Sequence, residues 1–276
     1  MVAVNELNFE SPSFFQRLQS MLGVDFYRLF HTPMFYIFLA IAAVIPAMIL
    51  GTTGMENPNG TVSAPLYTNT WYIIAAQTPL YVVSSIGEYA NMNMVYIFGG
   101  IMVSIFIGHD YKSGYVKQLF TTHARKQDYM MSKSIVGAFS MACMCITYLL
   151  GAVGAGLFAG TSFEVNVTSL VIAVLSKMVM SFGWASLYTF LNIIFRRYFG
   201  ISIASSFFFG TGILIIGAAA VIGNNALLNI FLYGSSVYAC LSSNIVTLLV
   251  CFVCSVVWAI IYNILGTYIL SKCDVY

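Results

Sequence analysis

A chain of 276 residues with 60% hydrophobic and only 7% charged side chains is not a soluble domain, where roughly a quarter of residues carry charge. Its net charge of +2 is too small to point to nucleic acid as a partner, and a mean hydropathy of +0.88 predicts a membrane protein. That length supplies about six spans of ~20 residues plus loops, in a single transmembrane domain over 1–276.

The N-terminal residues include Glu6 and Glu10 and no basic run ahead of an apolar core, so they do not read as a cleaved signal peptide. Residues 12–32 predict an amphipathic helix. Phe14, Leu18, Met21, Leu22, Phe26 and Leu29 recur at three- and four-residue spacing, with Arg17, Gln19, Asp25 and Arg28 assigned to other positions. Ser11 or Ser13 supplies the cap and Pro33 ends the segment. Such a helix lies in the inner interface with its apolar face in the acyl boundary, and an ordinary juxtamembrane anchor has the same pattern.

Apolar stretches at 34–54, 91–109, 134–159, 169–195, 200–222 and 245–271 predict six transmembrane helices and an all-α membrane fold. Pro46 is expected to kink the first. The outer segment that follows contains Pro58, Asn59, Gly60 and Pro65, and Trp71 to Val83 reads as a short interfacial helix. Gly223 to Asn244 is too apolar for a wet loop and too broken for a span, so short outer re-entrant or interfacial helices are expected there. Cys143, Cys145, Cys251 and Cys254 fall within spans, Cys273 at the cytoplasmic end and Cys240 alone in an outer segment, which leaves no disulfide framework.

Of the 11 Lys and Arg residues, all but Lys177 fall in segments on one side of this layout: Arg17, Arg28, Lys112, Lys117, Arg125, Lys126, Lys133, Arg196, Arg197 and Lys272. The opposite loops carry Glu56, Glu88 and Glu164 and no basic residue. Basic residues near span ends stay cytoplasmic, so both termini are predicted inside, with a basic inner loop around 109–133.

That loop holds a short helical pattern in Tyr115, Val116, Leu119 and Phe120, a polar turn at His123, and a basic run of Arg125 and Lys126 entering the third span. Together with the N-terminal helix and six spans it resembles the permease subunits of type-2 ABC exporters. The corresponding positions are Asp110, Gly114, Leu119, Phe120, Arg125, Lys126 and Lys133. The resemblance covers the whole chain in topology but only this loop in residues. It implies a coupling helix over Tyr115, Leu119, Phe120, His123, Arg125 and Lys126 that docks into a groove on a separate ATP-binding-cassette subunit. It further implies a dimer with a second permease copy or a homologous permease in a bacterial plasma membrane. The cargo it implies is hydrophobic or amphipathic, such as a peptide, an antimicrobial, a drug or a lipid. Basic residues also set topology in any membrane protein, a simpler reading of the same charges.

No GxxxxGK[ST] loop occurs, so the chain does not read as an ATPase; no cofactor is expected in it, ATP and Mg²⁺ being bound by the partner. Gly151, Gly154, Gly156 and Gly160 read as close helix packing. Inside the spans Lys177 is either functional, with Glu88 as a partner, or snorkels to the outer headgroups. Asn192 and Asn263 are suited to hydrogen bonds between helices or to a cargo pathway. His31, His109 and His123 have no metal-ligand spacing, and no catalytic constellation can be assembled. An ion-coupled carrier or channel is the alternative, although every Asp and Glu lies at or outside a span end, which disfavours proton or cation coupling. A non-transporting membrane sensor or scaffold is the remaining one.

Overall fold

The computed structural model describes residues 13–53, 63–65, 94–121, 124–158, 162–164, 167–196, 198–210, 230–241 and 244–272. In chain order the elements are α1 (Phe14–His31), α2 (Pro33–Thr53), β1 (Ser63–Pro65), α3 (Met94–Lys112), α4 (Tyr115–Thr121), α5 (Lys126–Phe158), β2 (Ser162–Glu164), α6 (Val167–Ile194), α7 (Phe199–Gly210), α8 (Leu232–Leu241) and α9 (Ile245–Lys272). It is a helical membrane protein. Three helices are long and apolar enough to cross a bilayer: Lys126–Ala155, Leu170–Ile194 and Ile245–Lys272. A fourth is counted if Phe14–His31 and Pro33–Ile45, bent by 65°, form one broken span.

Ser13 caps α1 in a capping box with Gln16, which satisfies two backbone N–H groups that would otherwise have no partner. Pro33 begins α2 rather than simply ending α1, as a residue with no N–H and a fixed φ does at a first helical position. The apolar stripe of α1 is the one its spacing predicts, but it packs onto the protein and Asp25 belongs to it. Leu18 and Leu29 are buried and Met21, Leu22 and Phe26 pack onto the protein, whereas Phe15, Tyr27 and Phe30 are exposed. Asp25 lies not on a separate polar face but among the buried residues, at 0% exposure. The reason is its spacing, four after Met21 and seven after Leu18, which puts it on the same stripe.

The helix carrying the third expected span starts at Lys126, well before residue 134. Its polar first turns stay helical because their charges are neutralised by neighbouring helices. At 33 residues and about 1.5 Å per residue it is roughly 50 Å long, so it carries the chain from one end of the bundle to the other. β2 follows at that far end and pairs in parallel with β1, Ala64 opposite Phe163. These strands add a two-stranded element to a helical fold, and they join two segments that the charge pattern assigns to one side.

The core is built on α3, α5 and α6. Tyr96, Trp184 and Tyr188 are fully buried and stacked, with ring centroids 5.6 Å apart for Tyr96–Trp184 and 5.6 Å for Trp184–Tyr188. Gly151 lets α5 meet α2, since a Cβ there would collide with the Ala43 carbonyl. Only α8, packed on α6 and α9, is described between Gly210 and Asn244. Residues 211–229, the segment from Trp71 to Val83, and Pro58, Asn59 and Gly60 lie outside the described residues. On α9, Leu249, Phe252, Val253, Ile260 and Ile264 are left exposed, an apolar face that suits lipid or a partner helix.

Candidate functional site

The basic end of the bundle, where α3 finishes and α5 begins, is organised around a buried ion-pair cluster. Lys133 on α5 places Nζ 2.6 Å from Asp25 of α1 and 2.6 Å from Asp110 of α3. Arg28 of α1 pairs with the other oxygen of Asp110 and lies 3.8 Å from Asp25. Ser132 donates to Asp25 at 2.7 Å and Tyr129 to Asp110 at 3.3 Å. Two carboxylates face two cations, and each carboxylate also accepts a hydroxyl hydrogen bond. Charges so deeply buried are tolerated only with this degree of pairing. A neighbouring pair, Arg17 to Asp128 at 2.8 Å, fastens the first turns of α1 to the start of α5.

Aromatic rings close the cluster. The Arg28 guanidinium lies 4.3 Å over the Tyr115 ring, and Lys133 sits 4.6 Å over Phe106. Tyr115 is the first residue of α4, so the short helix is tied directly to the charges beneath it. Burial first, and the charge of Asp25 second, push the Tyr115 phenol above its ordinary value, so it remains neutral beside the cations.

The turn into α4 depends on Gly114, at φ 73°, a left-handed conformation that L side chains disfavour. The turn carries hydrogen bonds from Ser113 N–H to the His109 carbonyl, 2.9 Å, and from Gln118 N–H to the Gly114 carbonyl, 3.1 Å. Val116 is buried with Tyr129, Met130, Ile193 and Leu270. Leu119 and Phe120 are half-buried against that group, the Phe120 ring meeting Tyr129 edge-on at 5.7 Å. Lys117, Gln118 and Thr121 form the exposed face. Arg125 is exposed and accepts backbone hydrogen bonds from Asp128 and Tyr129, while Lys126 is half-buried and reaches the Ser271 carbonyl at 3.4 Å. His123 lies outside the described residues.

The intramembrane polar residues are far from this end or stitched into helix contacts. Lys177 is 1% exposed and donates to the Ser236 carbonyl of α8 at 3.2 Å, which removes the snorkelling geometry. Glu88, its expected partner, lies outside the described residues. Asn192 of α6 donates to Ser104 at 2.9 Å and accepts from Ser202 of α7. Asn263 of α9 donates to Ser186 at 3.1 Å and accepts from Ser134 at 3.1 Å, linking α9 to α6 and α5. Missed by sequence reasoning were Asp25, Arg28, Tyr129 and Ser132 as members of the cluster; the spacing of Asp25 on the α1 stripe is the signal that marks it.

These features define a class: a polytopic helical membrane protein whose short surface helix is braced by buried charges against an amphipathic N-terminal helix. Residues 22–212 match the family described as ABC-2 family transporter protein, and the chain belongs to that family. The matched span begins just before Asp25 and includes the whole cluster and α4. The chain is therefore the membrane component of an ABC transporter and not its ATPase. No curated protein matches it.

Proposed function

We propose that this chain is the permease subunit of an ATP-driven exporter, with six spans and both termini cytoplasmic in a bacterial plasma membrane. α1 is its interfacial helix and α4 its coupling helix. Two ATP-binding-cassette subunits, which hold ATP and Mg²⁺, dock against α4, and a second permease copy or homologue completes the dimer. The observation that carries this reading is the bracing of α4. Its first residue stacks on Arg28, and Arg28, Asp25, Asp110 and Lys133 lock together α1, α3 and α5. A displacement of α4 would therefore move three helices as one body, as a coupling element must.

The proposed contact surface is the exposed face with Lys117 and Gln118, the outward parts of Leu119 and Phe120, and the rim of His123, Arg125 and Lys126. Apolar centre and charged rim suit a protein interface. The proposed cargo is hydrophobic or amphipathic. A cavity of about 470 Å³ between α5 and α9 supports this, with Gln127, Asn263, Thr267 and Ser271 as polar points on a wall of Met131, Ile260, Ile264 and Tyr268. The test is co-purification of the permease with its ATPase and coupled ATP hydrolysis in lipid. Leu119→Asp with Phe120→Asp is expected to abolish both while the permease stays monodisperse. If association and coupled hydrolysis persist, α4 is not the docking element.

A further inference from the structure

A second polar site lies at the same end of the bundle, between α3, α6 and α7. A cavity of about 170 Å³ is lined there by Lys112, Arg196, Asn192 and Ser202, with Phe199 and Ile107 on its wall. Arg196 stands in the turn between α6 and α7, held by the Tyr198 N–H to the Phe195 carbonyl at 2.8 Å. Its Nη1 is buried and has no hydrogen-bond partner among the described residues. Lys112 Nζ lies 4.5 Å over the Phe199 ring, which positions the ammonium without neutralising it.

No carboxylate is among the described lining residues, and Asp110, two positions before Lys112, is engaged by Arg28, Lys133 and Tyr129. Asn192 and Ser202 are bonded to one another, so charge recognition falls to the two cations. α7 begins at Phe199 on the cavity wall, and the positive end of this 12-residue helix adds to the same potential. A buried guanidinium N–H with no acceptor carries a desolvation cost that an anion removes.

We propose that this cavity binds the phosphate group of an anionic ligand, held by Arg196 and Lys112. Arginine offers a planar fork to phosphate oxygens and lysine a point charge. Phe199 and Ile107 flank the cations with apolar surface, so the phosphate of a lipid headgroup and a free phosphate share the chemistry the site recognises. That the site faces the inner leaflet rests on the topology proposed above; the binding does not, and the test is indifferent to orientation.

The full-length protein is placed in nanodiscs of phosphatidylcholine, of phosphatidylcholine with phosphatidylglycerol, and of phosphatidylcholine with added inorganic phosphate. Thermal unfolding is then followed in each, since a ligand that binds the folded state raises the midpoint. A rise with phosphatidylglycerol alone assigns a lipid, and a rise with both assigns the phosphate group whatever its source. Arg196→Gln with Lys112→Gln is expected to abolish the rise, while Lys117→Gln with Lys272→Gln, the same charge change at exposed positions, retains it. Lys112→Gln alone, at an exposed residue, is expected to reduce it, which keeps the test valid should the double variant not fold. The proposal is overturned if neither addition raises the midpoint, if the rise survives in full in the Lys112 and Arg196 variants, or if the control pair removes it equally.

Discussion

Lys133 and Asp25 are in contact at 2.6 Å across 108 positions of sequence, both fully buried. This pair fixes the N-terminal helix to the head of α5, and through Asp110 to the end of α3. Replacing Lys133 by Met leaves two buried carboxylates with Arg28 as their remaining cation. A loss of about 3–5 kcal/mol is expected, the usual result of removing one partner of a buried pair. Adding Asp25→Asn should recover part of that loss. Unfolding in detergent measures the cycle, and additive losses would show that the two residues act independently.

Gly114→Ala should cost about 1–2 kcal/mol, because φ 73° is left-handed and disfavours a side chain. The turn would loosen, so the Gln118 amide, bonded to the Gly114 carbonyl, should exchange faster with deuterium. Unchanged stability and exchange would show that the turn does not set the position of α4.

How much of this was legible in the sequence differs by residue, for physical reasons. Long apolar runs are unambiguous in a chain this hydrophobic: the stretches read at 169–195 and 245–271 fall in α6 and α9 almost end to end. The start of α5 was not, because a polar turn containing Asp128, Ser132 and Lys133 looks like loop until its partners on α1 and α3 are known. Asp110, Lys133 and the α4 residues carried a pattern of their own within one loop. Arg28 did not, and Asp25 is marked only by its place on the α1 stripe, since the significance of both depends on contacts made 82 to 108 residues away. The burial of Lys177 was equally hidden: it depends on α8, a segment with no strong period of its own.

Lys177→Met should destabilise the protein by about 1–3 kcal/mol, since it strips the buried Ser236 carbonyl of a donor. Thermal unfolding in detergent reads this directly. A Met variant with unchanged stability and normal transport would remove Lys177 from the functional residues.

The topology has its own test. Val167, 66% exposed at the start of α6, and Gln118, exposed on α4, lie near opposite ends of the long helices. With cysteine at each, a membrane-impermeant maleimide should label position 167 on intact cells and position 118 only after permeabilisation. The opposite pattern would invert the orientation and remove α4 from the reach of any cytoplasmic ATPase.

The most direct measurement is site-specific crosslinking from α4 to the ATPase. A photoreactive residue at Gln118, which is exposed and outside the buried cluster, is expected to leave the fold intact. Phe158, 97% exposed at the far end of α5, is the control. In native membranes position 118 is expected to crosslink to the ATP-binding-cassette subunit, with a yield that changes on adding ATP, and position 158 not to. An intact permease–ATPase complex that gives no crosslink from position 118 would contradict the assignment of α4 as the coupling helix.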